Sequence, residues 1–600
     1  MEEQQRNLLL AVVLSVAVLI GWQIFVEGPK QQAAREQAEA QRVLREAQEA
    51  ANPSTTSGMQ PAANGSVASS GNQTPTTTAS PTAPKGEVLK FTTSAMTGAF
   101  NTKGARLDDV TLTKYFETQE EGSDNIHLLK PSNTAKPYFA DYGWNIFGDV
   151  KKQATTPDTV WNVESQSDTV TVMTTELDGM SYRVTYEYGT KDYLVNVKQE
   201  VTNTSADTVD IRPYGRIIRY GEQDGSSFFI LHEGMIGYFS EDNLEELTYK
   251  NVRKDDDKTI KYTSDGGWAG FTDKYWLAAL LPDQSSKIDV TYNYSDASKP
   301  FFQSYYQADQ TVLAPGQSRS YTSNLFVGAK EVNLLDKYGD ELGLENFDKA
   351  VDFGWFYFLT KPFFKALSFI YGIVGNFGIA ILVLTLFIKL LLFPLANASY
   401  RSMSKMKLLA PKIAELKEQY GDDRQKLQQA TMKFYKEEGV NPLGGCLPIL
   451  VQIPIFFSLY KVLFVTIEMR HAPFFGWIND LSAKDPTSIF NLFGLLPFDP
   501  NAGLFLMISF LSIGIWPILM GITMFAQQKL NPAPADPIQA KVMMFLPIIF
   551  TFILAPFPAG LVIYWTWNNL LSVAQQWFIM RNTKLDKVKV RTKSTPPKKS

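Results

Sequence analysis

From Leu8 to Val26 the chain is apolar for 19 residues, softened only by Ser15, Gly21, Trp22 and Gln23. A helix rises about 1.5 Å per residue, so this run just crosses a hydrocarbon core of roughly 30 Å. A cleaved signal peptide is the competing reading. The run is long for one, and Glu27-Gly28-Pro29-Lys30 follows without a small-residue cleavage site, which favours an uncleaved anchor. Long apolar runs return only after residue 350, at roughly 372–393, 443–465, 504–526 and 542–580. The last is interrupted by Ala555-Pro556-Phe557-Pro558-Ala559-Gly560. Two prolines and a glycine predict a turn there, splitting the run into helices at 542–555 and 559–580. One long bent helix is the alternative.

The intervening segments follow other periods. Residues 31–50 are rich in Gln, Ala, Glu and Arg and read as a polar helix. Residues 51–86, almost only Ser, Thr, Pro, Ala, Gly and Asn, read as a disordered linker that cannot bury enough apolar surface to order itself. In 87–340 the period becomes two. Tyr182, Val184, Tyr186 and Tyr188 alternate with Arg183, Thr185 and Glu187, and Tyr193, Val195, Val197 and Val201 continue the pattern up to an Asn203–Asp207 turn. Short strands with regular turns predict an antiparallel β-sandwich. Exposed Trp144 or Trp268 would suit sugar stacking; burial in the core is the weightier reading. At 345–359, Phe347, Val351, Trp355 and Phe358 share one helical face, which predicts a helix lying in the headgroup plane or packed on the β domain. In 394–440, helical spacing of Ile413, Leu416 and Tyr420, a Gly421-Asp422-Asp423 turn, and then Leu427, Ala430, Phe434 and Gly439 predict a helical hairpin.

Charge orients these segments. The chain has 600 residues, too many for one ordinary core. Residues 27–345 carry a net charge of −15 and residues 346–600 a net charge of +12. The acidic part argues against a nucleic-acid-binding domain there. The hairpin 394–440 holds nine Lys/Arg and the tail 581–600 eight, against two in 466–503. Lys and Arg collect on the cytoplasmic side. Six spans place the hairpin, the tail and both termini inside and residues 28–344 outside, whereas five would export the tail. One cysteine, Cys446, excludes an intrachain disulfide, and three histidines leave little for a Cys/His zinc site. There is no Walker A loop.

Lys389 is the main candidate for chemistry. It follows Leu384-Thr385-Leu386-Phe387-Ile388, with Thr385 one helical turn earlier. A charge within a span costs roughly 2.5–3.5 kcal/mol and is functional by default. Snorkelling to the basic loop about 9 Å away is the other reading, and both stand. Gln452, Ser458, Asn568, Asn569, Gln575 and Gln576 lie in later spans. Singly they read as helix-packing groups; together with Lys389 they would line a wet cavity. No Asp or Glu lies in the spans from 372 onward, which disfavours a proton-coupled transporter.

The run Val440-Asn441-Pro442-Leu443-Gly444-Gly445-Cys446-Leu447-Pro448, then Gln452-Ile453-Pro454-Ile455-Phe456, resembles the YidC/Oxa membrane insertase family. So do Pro411-Lys412-Ile413 and Phe557-Pro558-Ala559-Gly560-Leu561-Val562-Ile563-Tyr564-Trp565. The anchor and large external domain are similar to the Gram-negative form. The resemblance implies a multi-domain protein of the bacterial inner membrane: a polytopic α-helical domain with a five-helix insertase core, plus a periplasmic supersandwich. It implies a non-enzymatic insertase and chaperone without cofactor or metal. A groove open to cytoplasm and lipid would be lined at Lys389, Thr385, Gln452, Tyr564 and Asn569. Gram-negative members usually carry arginine where Lys389 stands, and lysine lacks the planar fork. The implied partners are nascent membrane proteins, membrane lipids, the Sec translocon, and signal-recognition components and ribosomes. The last two would meet the hairpin, at Lys405, Lys407, Lys412 and Lys417, and the tail. The implied domains are the anchor 1–27, linker region 28–86, β domain 87–344, interfacial helix 345–371, second span 372–393, hairpin 394–440, spans three to six at 441–580, and tail 581–600. A solute transporter or channel with a lysine site is the alternative function.

Overall fold

The computed structural model describes residues 86–147, 152–189, 192–221, 231–239, 243–255, 257–297, 299–421, 423–440, 447–496, 512–531 and 537–582. The predicted anchor, the polar helix and nearly all of the linker, and the tail beyond Asn582 lie outside the described residues.

Among the described residues, those between 88 and 329 form two antiparallel sheets. One has ten strands and runs from Val88–Thr92 through Arg106–Phe116, Tyr138–Phe147, Val209–Tyr220 and Phe301–Gln307 to Thr259–Asp265. The other has nine and runs from Asn243–Thr248 through Trp276–Leu281, Ser318–Ala329 and Leu194–Asn203 to Asn162–Gln166. The alternation at 182–201 is the local cause. Tyr182, Tyr186, Val195, Val197 and Val201 point inward and are buried, while Arg183 pairs with Glu164 and Glu200 on the solvent side at 3.0 and 3.8 Å. Tyr142 of the first sheet meets Tyr186 of the second edge-to-face at 6.2 Å. Trp144 and Trp268 are fully buried core residues, so neither offers a stacking face.

On the other face of the first sheet, Arg216 sits directly opposite Asp141 in register. The two form a bidentate pair at 2.6 and 2.9 Å, with side-chain exposures of 0% and 2%. Phe139 and Ile218 of the same two strands pack with Phe301 of the neighbouring Phe301–Gln307 strand.

After a short helix α1 (Tyr249–Lys254) and α2 (Val332–Leu342), the chain enters the stretch 345–359, whose spacing predicts an amphipathic helix. Only a 3-10 turn forms, at Phe347–Ala350. Phe347 is buried against Trp268 and Phe326, at ring distances of 5.2 and 5.7 Å. Its apolar character serves the β core. Gly354 then adopts φ +70°, which breaks any helix, and α3 begins at Tyr357 and runs to Val374. Trp355 and Phe358 remain exposed, at 75% and 73%. Lys361 of α3 ties back to Asp336 at 2.8 Å and Asp348 at 2.6 Å.

The remaining helices are α4 (Phe377–Leu391), α5 (Phe393–Tyr420), α6 (Arg424–Glu437), α7 (Leu447–Val465), α8 (Ile515–Leu530), α9 (Pro537–Leu554) and α10 (Ala559–Asn582). The turn at 555–558 separates α9 from α10, because Pro556 and Pro558 remove two amide donors. The hairpin α5–α6 turns at Gly421 (φ +51°), and the Asp423 side chain accepts from Lys426 N at 3.1 Å to cap α6. Among the described residues no single helix is long and apolar enough to cross a membrane. The pair α4 and α5, bent by 66°, passes together. The second apolar run is thus broken, by Gly375 at φ +68° before α4 and by the bend after it.

The β domain is bolted to one end of this bundle. Lys461 of α7 pairs with Asp352 at 2.8 Å, and Asp352 also accepts from His232 N at 3.0 Å. Arg470 donates to the carbonyls of Phe116 and Glu117 at 2.6 and 3.1 Å, and Gln119 donates to those of His471 and Asn479. Glu468, just past α7, accepts from Val332 N at 3.3 Å. Burial pushes its carboxyl up to about 7. The folded state therefore holds that proton more tightly than the unfolded chain. The associated stability is greatest below the ordinary carboxylate range and falls as pH rises through about 7. Glu468→Gln is expected to flatten this loss and raise stability at pH 8 by about 1–3 kcal/mol, read as the thermal midpoint of the full chain at pH 5 and pH 8.

Candidate functional site

Lys389 stands in the last turn of α4, and its Nζ donates to Ser572 Oγ of α10 at 2.9 Å. The ammonium is thus turned toward a neighbouring helix. Ser572 donates onward to the Asn568 carbonyl at 2.8 Å and also hydrogen-bonds Tyr400 of α5. Lys389, Tyr400, Gln452 and Gln575 line a cavity of about 30 Å³, with apolar residues of α5 and α7 completing the wall. By size it takes a water molecule. Gln452 of α7 donates from Nε2 to the Tyr564 hydroxyl of α10 at 2.9 Å.

The structure thus brings Lys389 and Gln452 to one cavity and links Tyr564 to it through Gln452. Thr385 and Asn569 are engaged elsewhere. The Thr385 hydroxyl donates to the Ile381 carbonyl of its own helix at 2.6 Å, and Asn569 Nδ2 donates to Thr523 Oγ1 of α8 at 3.3 Å. Ser572 and Tyr400 did not emerge from sequence reasoning. Ser572 carried a signal, lying four residues from Asn568 and four from Gln576 on an apolar helix, which places the three on one face. Tyr400 carried none, being one aromatic in a basic helix.

The surroundings explain why the site stays polar. Ser458 Oγ, Asn568 Oδ1, Gln575 Nε2 and Gln576 Oε1 are buried without a hydrogen-bond partner among the described residues. Buried polar atoms of this kind call for water or a polar ligand. No Asp or Glu occurs in α4 or α7 to α10, so nothing in these helices neutralises Lys389. Phe387, Leu390, Leu450, Phe545 and Phe578 are all exposed large apolar side chains, as at surfaces that meet a membrane or another protein. On the hairpin, Lys405, Lys407 and Lys417 are exposed, and Lys412 lies 5.8 Å from the Phe434 ring across the turn.

Residues 88–366 match the family model of the YidC periplasmic domain, and residues 369–587 that of the 60Kd inner membrane protein. The chain belongs to the YidC family. It is 45% identical over 586 residues to the membrane protein insertase YidC of Rhizobium meliloti (strain 1021), covering 96% of both chains. It is 46% identical over 596 residues to that of Nitrobacter hamburgensis, covering 97% of this chain and 96% of the relative. A crystal structure of an active YidC insertase with its first transmembrane domain resolved aligns over 82% of this chain and 92% of that one, at 17% identity and a TM-score of 0.33. The two YidC family matches meet inside α3, so the boundary between the two matched regions falls within this helix.

Proposed function

We propose that this chain inserts proteins into the bacterial inner membrane, moving single- or double-spanning clients through a polar groove open to lipid. Six spans hold it, with both termini cytoplasmic and residues 28–344 periplasmic. The observation that carries the reading is Lys389, an amine set on Ser572 among helices with apolar outer faces, in a chain of the YidC family. The cation draws in an acidic or polar client terminus. Burial of the client's own span of about 20 apolar residues then drives release into lipid. The membrane potential adds about 2.3 kcal/mol per charge per 100 mV for an acidic terminus moving outward. No bond is made or broken, so neither nucleotide nor cofactor is needed. The apolar stretch Val542–Leu554 of α9 spans only about 20 Å at helical rise, which thins the bilayer locally.

Clients arrive alone or from the Sec translocon, which contacts the periplasmic domain. Lys405, Lys407, Lys412 and Lys417 of the hairpin and the basic tail meet signal-recognition components and ribosomes, for which the exposed amines of Lys405, Lys407 and Lys417 are suited. The test is reconstitution of the purified chain into liposomes with an imposed potential and a short single-spanning client, without nucleotide. The expected result is client protection from external protease well above empty liposomes. Solute flux without protection would instead establish the transporter reading.

A further inference from the structure

Between the β domain and the bundle lies a cavity of about 250 Å³ that shares no lining residue with the one at Lys389. Its walls come from four places: Glu233 and Lys274 of the β domain, Tyr460 and Phe464 of α7, Lys484 of the following loop, and Phe557 of the α9–α10 turn. The loop is fastened to that turn, since Ala559 N donates to the Ala483 carbonyl at 2.6 Å and Gly560 N to the Leu481 carbonyl at 2.9 Å. Lys274 N donates to Glu233 Oε1 at 2.9 Å, which fixes the carboxylate at the wall. The Lys274 ammonium lies 3.8 Å from the Phe464 ring centroid. Burial brings this amine down to about 8, against the pull of the Asp480 and Glu233 carboxylates, which favour its charge.

We propose that this cavity binds the phosphoethanolamine headgroup of an outer-leaflet phospholipid. Lys274 and Lys484 take the phosphate, as lysines do. Glu233 and the rings of Tyr460 and Phe557 take the ammonium. Drug-sized ligands fill roughly 300–1,000 Å³, and this smaller space suits a headgroup. The placement at the end of α7 and the α9–α10 turn is at headgroup depth, and it rests on the membrane orientation proposed above.

The full chain is reconstituted with equimolar phosphatidylethanolamine, phosphatidylglycerol and phosphatidylcholine, extracted mildly, and its retained lipids are counted by native mass spectrometry. Phosphatidylethanolamine is expected to exceed phosphatidylcholine about tenfold. Lys274→Gln with Lys484→Gln lowers retention of all three about tenfold, and Lys274→Arg with Lys484→Arg restores it. Glu233→Gln keeps retention but removes the ethanolamine preference. Soluble phosphoethanolamine displaces the lipid, and inorganic phosphate at the same concentration does not. Unchanged retention in the double Gln variant, or equal displacement by inorganic phosphate, overturns the proposal. Client insertion measured in parallel separates this outcome from failure of the insertase reading.

Discussion

Lys389→Ala is expected to lower insertion of a client with an acidic exported terminus about 10²-fold, with Lys389→Arg near wild type. A carboxylate brought within a span costs roughly 2.5–3.5 kcal/mol. A cation about 4 Å away returns about 4 kcal/mol at an effective dielectric of 20. Removing it leaves the cost uncovered, and about 3 kcal/mol is about two powers of ten in rate. The amine of Lys389 is presented by Ser572 at 2.9 Å and has no acidic competitor in α4 or α7 to α10. On the proposed mechanism, a client carboxylate would meet a cation that no carboxylate of these helices has neutralised. Ser572→Ala is expected to cost far less, since it removes a neutral hydrogen bond of about 0.5–1.5 kcal/mol and leaves the charge. A client with an uncharged terminus is the control, and Lys389→Ala is expected to leave its insertion almost unaltered. The assay is protease protection in liposomes under an imposed potential. Equal insertion of the acidic client by Lys389→Ala and wild type would demote Lys389 to a snorkelling residue.

Several features were legible in the sequence because one local cause sufficed. The alternation from Tyr182 to Val201 marks a strand pair with one buried face, and residues 180–203 form that pair. Pro556 and Pro558 end a helix whatever surrounds them. Gly421 and Asp423 supply a turn and a cap within four residues. Features set by distant contacts were not legible. Phe347 and Val351 match a helical face by spacing, yet both are buried where the chain meets the β domain, and Gly354 at φ +70° ends the pattern. Ser572 lies 183 residues from Lys389, and no periodicity joins them. Glu468 and Arg470 look like ordinary loop polarity. Only the fold shows them gripping Val332, Phe116 and Glu117. Asn569, placed in the groove by the resemblance, donates to Thr523 of α8, a contact that its place in an apolar helix does not reveal.

The same reasoning predicts the largest stability effect away from Lys389, at Arg216 and Asp141. Arg216→Ala is expected to destabilise the β domain by about 3–5 kcal/mol. The carboxylate of Asp141 accepts from Arg216 Nε and Nη2, and its side chain is 2% exposed, so truncation leaves a buried charge without its counterion. Asp141→Ala is expected to cost a similar amount for the same reason with the signs exchanged. Replacing both with Met and Leu is expected to recover most of the loss, because an apolar pair of similar volume avoids the desolvation of two ions. For a domain of this size, about 4 kcal/mol corresponds to a fall of roughly 10 °C in the midpoint. Thermal unfolding of the full chain in detergent, with all four members of the double-mutant cycle, measures it. If the double replacement were as unstable as either single one, shape rather than charge would govern the site. The consequence reaches function through geometry: the Phe116–Gln119 turn, which holds Arg470 and the loop beyond α7, continues the Arg106–Phe116 strand of the same sheet. A loosened β domain would release that grip. Arg216→Ala is therefore expected to raise protease sensitivity at 470–480 while leaving Lys389 in place on Ser572.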